Sequence, residues 1–184
     1  MSNASATVPR PFANCYWVQP GRLLAGEYPS AFTATAARRK VHRLLDAGVT
    51  FFLDLTHPDD PLEPYTQFFE KTTEGGALPI VYRRLAIPDR TVPPAAQMTQ
   101  TLDIIDEALA AGHVVYVHCW GGVGRTGTVV GCHLVRHGNS GEAALAELAR
   151  LWQTVEKRDR FPQSPETPTQ MAMVRNWPEA VSGA

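Results

Sequence analysis

Apolar positions along the chain follow two spacings, and each predicts one kind of element. Val49–Leu55 and Val114–Val117 are continuous or nearly continuous apolar runs, the pattern of strands covered on both faces. Ile80–Ile87 reads as a further strand, and Cys15–Val18 and Arg22–Gly26 as two short strands around the Pro20-Gly21 turn. Helical spacing takes over between these runs. Ala34, Ala37, Val41, Leu44 and Leu45 recur on one face from Thr33 to Ala47, and Gly48 is placed to cap that helix. After Pro93-Pro94, residues Met98, Leu102, Ile105 and Leu109 repeat the pattern up to Gly112. Thr128–Val135 is apolar almost all round, which predicts a central, buried helix closed by Arg136-His137-Gly138. Ser140 then caps a helix on which Ala144, Leu148, Leu151, Trp152 and Val155 share a face. Short helices are predicted over Pro64–Lys71 and from Gln170 to Trp177.

Strands that alternate with helices predict a single α/β domain with a central, mostly parallel sheet flanked by helices. Ligands of such sheets bind at the carboxyl ends of the strands, where Cys119, Asp54, His57 and Asp89 are all expected. The domain is expected to span 13–178, after a disordered or draped segment (1–12) and before a short tail (179–184).

Composition narrows the partners more than the fold. The formal net charge of −1 argues against an electrostatically driven nucleic-acid or membrane-surface partner. No apolar stretch has the length of a membrane span, and the first residues lack the basic-then-apolar pattern of a secretory signal. Cys15, Cys119 and Cys132 make no disulfide framework, so a reducing cytoplasm is the expected location.

The chemistry concentrates in His118-Cys119-Trp120-Gly121-Gly122-Val123-Gly124-Arg125-Thr126-Gly127. A strand, a glycine-rich turn and a helix N-terminus make an anion cradle, because first-turn N–H groups lack intrahelical acceptors and the helix dipole is positive there. Cys119 opens the cradle and Arg125 closes it. A thiolate needs nearby positive potential, and an arginine fork fits two phosphate oxygens at once.

His118-Cys119, five residues, then Arg125-Thr126-Gly127 resembles the signature of the cysteine-dependent protein tyrosine and dual-specificity-like phosphatases. The Pro20–Pro29 stretch also resembles the N-terminal hairpin of their compact members. The resemblance implies hydrolysis of phosphate monoesters through a cysteinyl-phosphate, without cofactor or metal. Cys119 would be the nucleophile, and the amides of Trp120, Gly121, Gly122, Val123, Gly124 and Arg125, with the Arg125 side chain, would bind phosphate. Thr126 would hydrogen-bond the thiolate and His118 would order the loop. Asp89, after Pro88 in a loop that ends a strand, matches the family's general acid, with Asp54 in reserve. Gln170, within Ser164–Gln170, resembles a glutamine that positions the hydrolytic water, although the same stretch also reads as a plain helix start.

Other readings of single features compete with these. His57, Asp59 and Asp60 invite a metal reading, but the prolines around them favour a plain loop. Cys132 reads as packing, or as a resolving thiol. Arg38, Arg39, Lys40, His42 and Arg43 read as a solvated helix face, or as a docking surface. Asp103 and Asp106 read as solvated.

The loop has no lysine of the kind phosphoinositide phosphatases carry, and the Lys-Asn-Arg-Tyr motif of the larger tyrosine phosphatases is absent. A phosphorylated protein, phosphotyrosine above all, is therefore the expected substrate, with other phosphate monoesters open. The alternatives are an inactive phosphate-binding or docking module of the same fold, a sulfur transferase, or an arsenate reductase.

Overall fold

A computed structural model describes residues 8–69 and 78–178. Five strands form one sheet: β1 (Cys15–Gln19), β2 (Leu23–Gly26), β3 (Val49–Asp54), β4 (Val81–Arg84) and β5 (Val114–His118). Their order is β1-β2-β5-β3-β4, with β1 antiparallel to β2 and every other pair parallel. Five α-helices accompany them: α1 (Ala34–Asp46), α2 (Ala95–Ala110), α3 (Gly124–Arg136), α4 (Gly141–Trp152) and α5 (Pro168–Arg175). This is the mostly parallel α/β domain that the alternating pattern predicts.

The sheet separates two cores. On one side Leu23, Leu53, Val115 and Val117 pack with Met98 and Ile105 of α2, Val129 and Val130 of α3, and Leu148 and Trp152 of α4. On the other, Leu24, Phe52 and Tyr116 pack with Val41 and Leu44 of α1 and with Tyr28 and Tyr65. β5 is central and contributes alternately to both, which is why its run carries no polar break. The segment preceding β1 is draped over the second core through Val8 and Phe12, and Arg10 donates to carbonyls of Ala13, Cys15 and Thr154.

Several element boundaries differ from the sequence expectation. The helix expected over Pro64–Lys71 is a 3-10 turn at Thr66–Phe68, and Lys71 lies outside the described residues. β4 ends at Arg84, although Leu85 and Ile87 still donate to the carbonyls of Asp54 and Leu55. α3 begins at Gly124, just before the expected opening at Thr126-Gly127, so Arg125 and Thr126 belong to its first turn. α5 begins at Pro168, because Thr167 and Gln170 form a capping box there.

Candidate active site

β5 delivers His118 and Cys119 to the carboxyl end of the sheet, and the chain then turns sharply into α3. Gly122 makes that turn. It has φ +75°, and a Cβ there would stand 2.5 Å from the Gly26 carbonyl carbon. Gly121 and Gly124 keep ordinary φ values, so one of the three loop glycines meets the positive-φ requirement. Gly124 is instead a contact position, where a Cβ would meet the Gln170 amide at 2.8 Å. The Trp120 carbonyl accepts from Tyr28 N–H at 2.9 Å, which ties the loop to the chain beyond β2.

The Cys119 sulfur is nearly buried and accepts from the Gly122 N–H at 3.3 Å. His118 lies beneath it with no exposure. Its Nδ1 faces the Cys119 carbonyl at 3.3 Å, and a carbonyl can only accept, so Nδ1 carries the proton. Nε2 then accepts from the Tyr65 hydroxyl at 2.7 Å. Burial pushes the His118 pKa down, which keeps the ring neutral and fixed in this tautomer. These contacts hold the ring between Tyr65 and the loop backbone.

Arg125 is folded back under the loop, almost without exposure. Its Nη1 donates to Asp60 Oδ2 at 2.6 Å and to the Ile87 carbonyl at 3.0 Å, and its Nη2 lies 3.0 Å from Asp89 Oδ1. Burial works against its charge, but Cys119, Asp60 and Asp89 outweigh it and raise its pKa. Nε has no partner among the described residues, and neither does the hydroxyl of buried Thr126. Two donors in the first turn of α3 are thus buried with their hydrogen bonds unspent.

The His57–Pro61 stretch is a loop, and its Asp60 anchors Arg125. Its carboxylate also accepts from the His57 N–H at 3.0 Å, so the loop is wound around the arginine's anchor. His57 pairs with Asp59 at 3.2 Å instead of completing a metal cluster with Asp60. Asp54 is not in the pocket. It accepts from Thr56, Tyr82 and Arg84 while fully buried. Burial pushes its pKa up, but nearby His118 and the Thr56 and Tyr82 hydrogen bonds outweigh this and hold it down. The reserve acid is therefore a brace between β3 and β4.

The pocket of about 350 Å³ above the sulfur is lined by Asp89, Cys119 and Trp120 together with Lys157, Arg160 and Phe161. The last three come from the charged stretch after α4. Lys157 Nζ donates to the Gly121 carbonyl at 3.1 Å and pairs with Glu27 at 2.5 Å, which ties that stretch to the loop. Gln170 reaches the loop as a brace. Its Oε1 accepts from the N–H groups of Glu166 and Thr167, and its Nε2 donates to the Thr91 carbonyl beside the Asp89 loop.

Cys132 is buried within α3, its thiol pushed up to about 12 by burial. It belongs to the core packed between the sheet and α2, α3 and α4. Burial also pushes the Cys15 thiol up, to about 11. On α1, Lys40 is pinned to Glu27 rather than solvated.

A family model for the DSP-PTPase phosphatase domain of the Swiss Army Knife proteins, PTP-SAK, matches residues 12–176. The chain belongs to this family. The phosphatidylglycerophosphate phosphatase PTPMT2 of Arabidopsis thaliana is 31% identical over 120 residues, covering 64% of this chain and 49% of the relative. The chain therefore spans about half the length of that relative. Among solved structures, Tk-PTP in its active form is similar with a TM-score of 0.66 at 22% identity, over 90% of this chain and 97% of that one. TpbA of P. aeruginosa in complex with pTyr has a TM-score of 0.61 at 19% identity, over 95% of this chain and 92% of that one. These two likenesses establish the fold. Family and fold together make the chain a phosphatase domain of the DSP-PTPase type. No helix among the described residues is long and apolar enough to cross a membrane.

Proposed function

We propose that the chain hydrolyses phosphate monoesters through a cysteinyl-phosphate on Cys119. The observation that carries this reading is the pair of unspent donors, Arg125 Nε and Thr126 Oγ1, buried in the first turn of the helix that the Cys119 loop leads into. Buried donors without partners cost folding free energy, of the order of 1–3 kcal/mol each, and an oxyanion and a thiolate are the groups that would repay it.

Phosphate entering the cradle takes the loop N–H groups and the Arg125 Nε and Nη2 edge, while Asp60 and the Ile87 carbonyl keep Nη1. The sulfur attacks phosphorus, and the ester oxygen leaves with a proton. Asp89, displaced from Nη2 by the phosphate, is free to carry that proton to the leaving oxygen. Water then attacks the phosphocysteine. Asp89 returns as base, Thr126 stabilises the departing thiolate, and Gln170, beside Gly124, is the group placed to orient that water through its second amide hydrogen.

Phosphotyrosine is the first substrate class to test, since the pocket is open and Trp120 and Phe161 flank it. A second reading rests on Lys157 and Arg160. The loop itself carries no lysine, yet these cations enter the pocket from outside it. They would meet a second anionic group, as in the phosphatidylglycerophosphate named for the plant relative.

The test is para-nitrophenyl phosphate hydrolysis against pH, in reductant with EDTA, for wild type and Cys119→Ser. The wild type should be active with an acidic-to-neutral optimum, and the variant should lose at least ~10⁴-fold in kcat while still binding inorganic phosphate. Activity surviving in the variant refutes the nucleophile. A folded, reduced wild type without activity leaves an anion-binding module. Side-by-side rates on a phosphotyrosine peptide and on phosphatidylglycerophosphate then decide between the two substrate classes.

A further inference from the structure

Far from the loop, at the opposite end of α3, His133 and His137 stand one helical turn apart and therefore on one face. Asp106 of α2 projects onto that face. Its Oδ1 lies 2.9 Å from His137 Nε2 and 3.7 Å from His133 Nδ1, and the three atoms all lie within 4.8 Å of one another. The other carboxylate oxygen is occupied. Arg136 Nη1 donates to Asp106 Oδ2 at 3.1 Å and to Asp103 Oδ1 at 2.6 Å, so Arg136 aims Oδ1 at the two imidazoles.

The second observation is the state of His133. It is 1% exposed, and neither ring nitrogen has a hydrogen-bond partner among the described residues. A buried imidazole normally satisfies at least one nitrogen, and this one turns an unpartnered nitrogen toward a carboxylate and a second imidazole. The charges facing the cluster from both packed helices are Asp103, Asp106 and Arg136, which sum to one negative charge, and the helix C-terminus adds negative potential.

We propose that Asp106, His133 and His137 bind one transition-metal dication of the zinc class, joining α2 to the C-terminal end of α3. Two imidazoles with one carboxylate suit Zn²⁺, Co²⁺ or Ni²⁺ rather than Mg²⁺ or Ca²⁺, which take oxygen ligands. Tetrahedral bonds of ~2.0–2.1 Å hold neighbouring donors ~3.4 Å apart, and the two measured separations from Asp106 bracket that value. Asp106 and His137 are 32% and 46% exposed, so an ion can enter from solvent and keep water in its fourth position. The site is separate from the chemistry at Cys119: Arg125 and His133 lie ~12 Å apart along the helix. Its role is to clamp the helix that carries the loop.

The test uses the full chain carrying Cys119→Ser, so that the active-site thiolate cannot compete for metal. After EDTA treatment and buffer exchange, the protein is titrated with Co²⁺ and then Zn²⁺, followed by visible absorption and thermal melting. The expected result is one equivalent of Co²⁺ with ligand-field bands of a low-coordinate site, displaced by Zn²⁺. Tm should rise by ~5–10 °C at a hundredfold excess over Kd. His137→Ala in the same background removes a half-exposed ligand and should weaken binding more than ~100-fold, beyond the usual cost of losing an outer-shell partner. No binding in the folded parent, binding unchanged by His137→Ala, or a thiolate-to-cobalt charge-transfer band would each overturn the proposal.

Discussion

The two ends of α3 are built from the same materials to opposite purposes. At the N-terminal end, Gly122 N–H donates to the Cys119 sulfur, and Arg125 and an unpartnered Thr126 hydroxyl add donors in the first turn. At the C-terminal end, the Asp106 carboxylate accepts from His137 Nε2 beside the unpartnered His133 ring, with Arg136 drawn aside to hold its other oxygen. Burial pushes the His133 pKa down to about 4, with His137 adding to the effect, so at neutral pH its ring is an uncharged acceptor. The helix dipole favours anions at the first end and cations at the second. One rigid element thus presents both polarities, and its middle is filled by Val129, Val130 and Cys132, which belong to the core.

Asp89→Ala breaks the first end hardest. Alkyl-phosphate hydrolysis should fall ~10²–10⁴-fold, while para-nitrophenyl phosphate, whose leaving group needs little protonation, should lose far less. Equal losses on both substrates, read as kcat, would move the acid elsewhere. Asp60→Asn tests whether Nη1 must be anchored for the other edge of Arg125 to face phosphate. Loss of a charge-assisted bond of ~1.5–3 kcal/mol should cost ~10–100-fold in kcat/KM, and an unchanged value would make Asp60 a bystander. His137→Ala addresses the other end and should leave kcat/KM on para-nitrophenyl phosphate within ~2-fold. A large loss there would mean that the two ends are coupled.

The contrast also shows what a sequence exposes. Cys119 to Arg125 is readable because its geometry is local: a strand end, a tight turn and a helix start follow one another in the chain. The sheet was readable for the same reason, since β3 and β5 are apolar runs whose covering helices lie next to them in sequence. Asp60 was not. Its partner lies 65 residues away, and before folding a carboxylate after a strand looks like any turn residue. Lys157 and Arg160 likewise lie in a charged stretch that gives no sign of the pocket until the chain after α4 folds back over it. Asp106 was assigned to solvent because its helix gives no sign of what α3 brings against it. The α3 start at Gly124 precedes the expected Thr126-Gly127 opening, although glycines disfavour a helix interior.

Those glycines bear on how the chain can be shortened. Added Cβ atoms at Gly124, Gly127 and Gly131 would meet Gln170, Ser164 and Val174 at 2.8, 2.2 and 2.6 Å. The three positions form a side-chain-free trough along α3, and the segment from Ser164 to Val174 is its filling. A truncation that ends before α5 would leave the trough open to water and strip the brace from Gly124. The C-terminal helix is therefore part of the minimal domain, and an expression boundary belongs beyond Arg175.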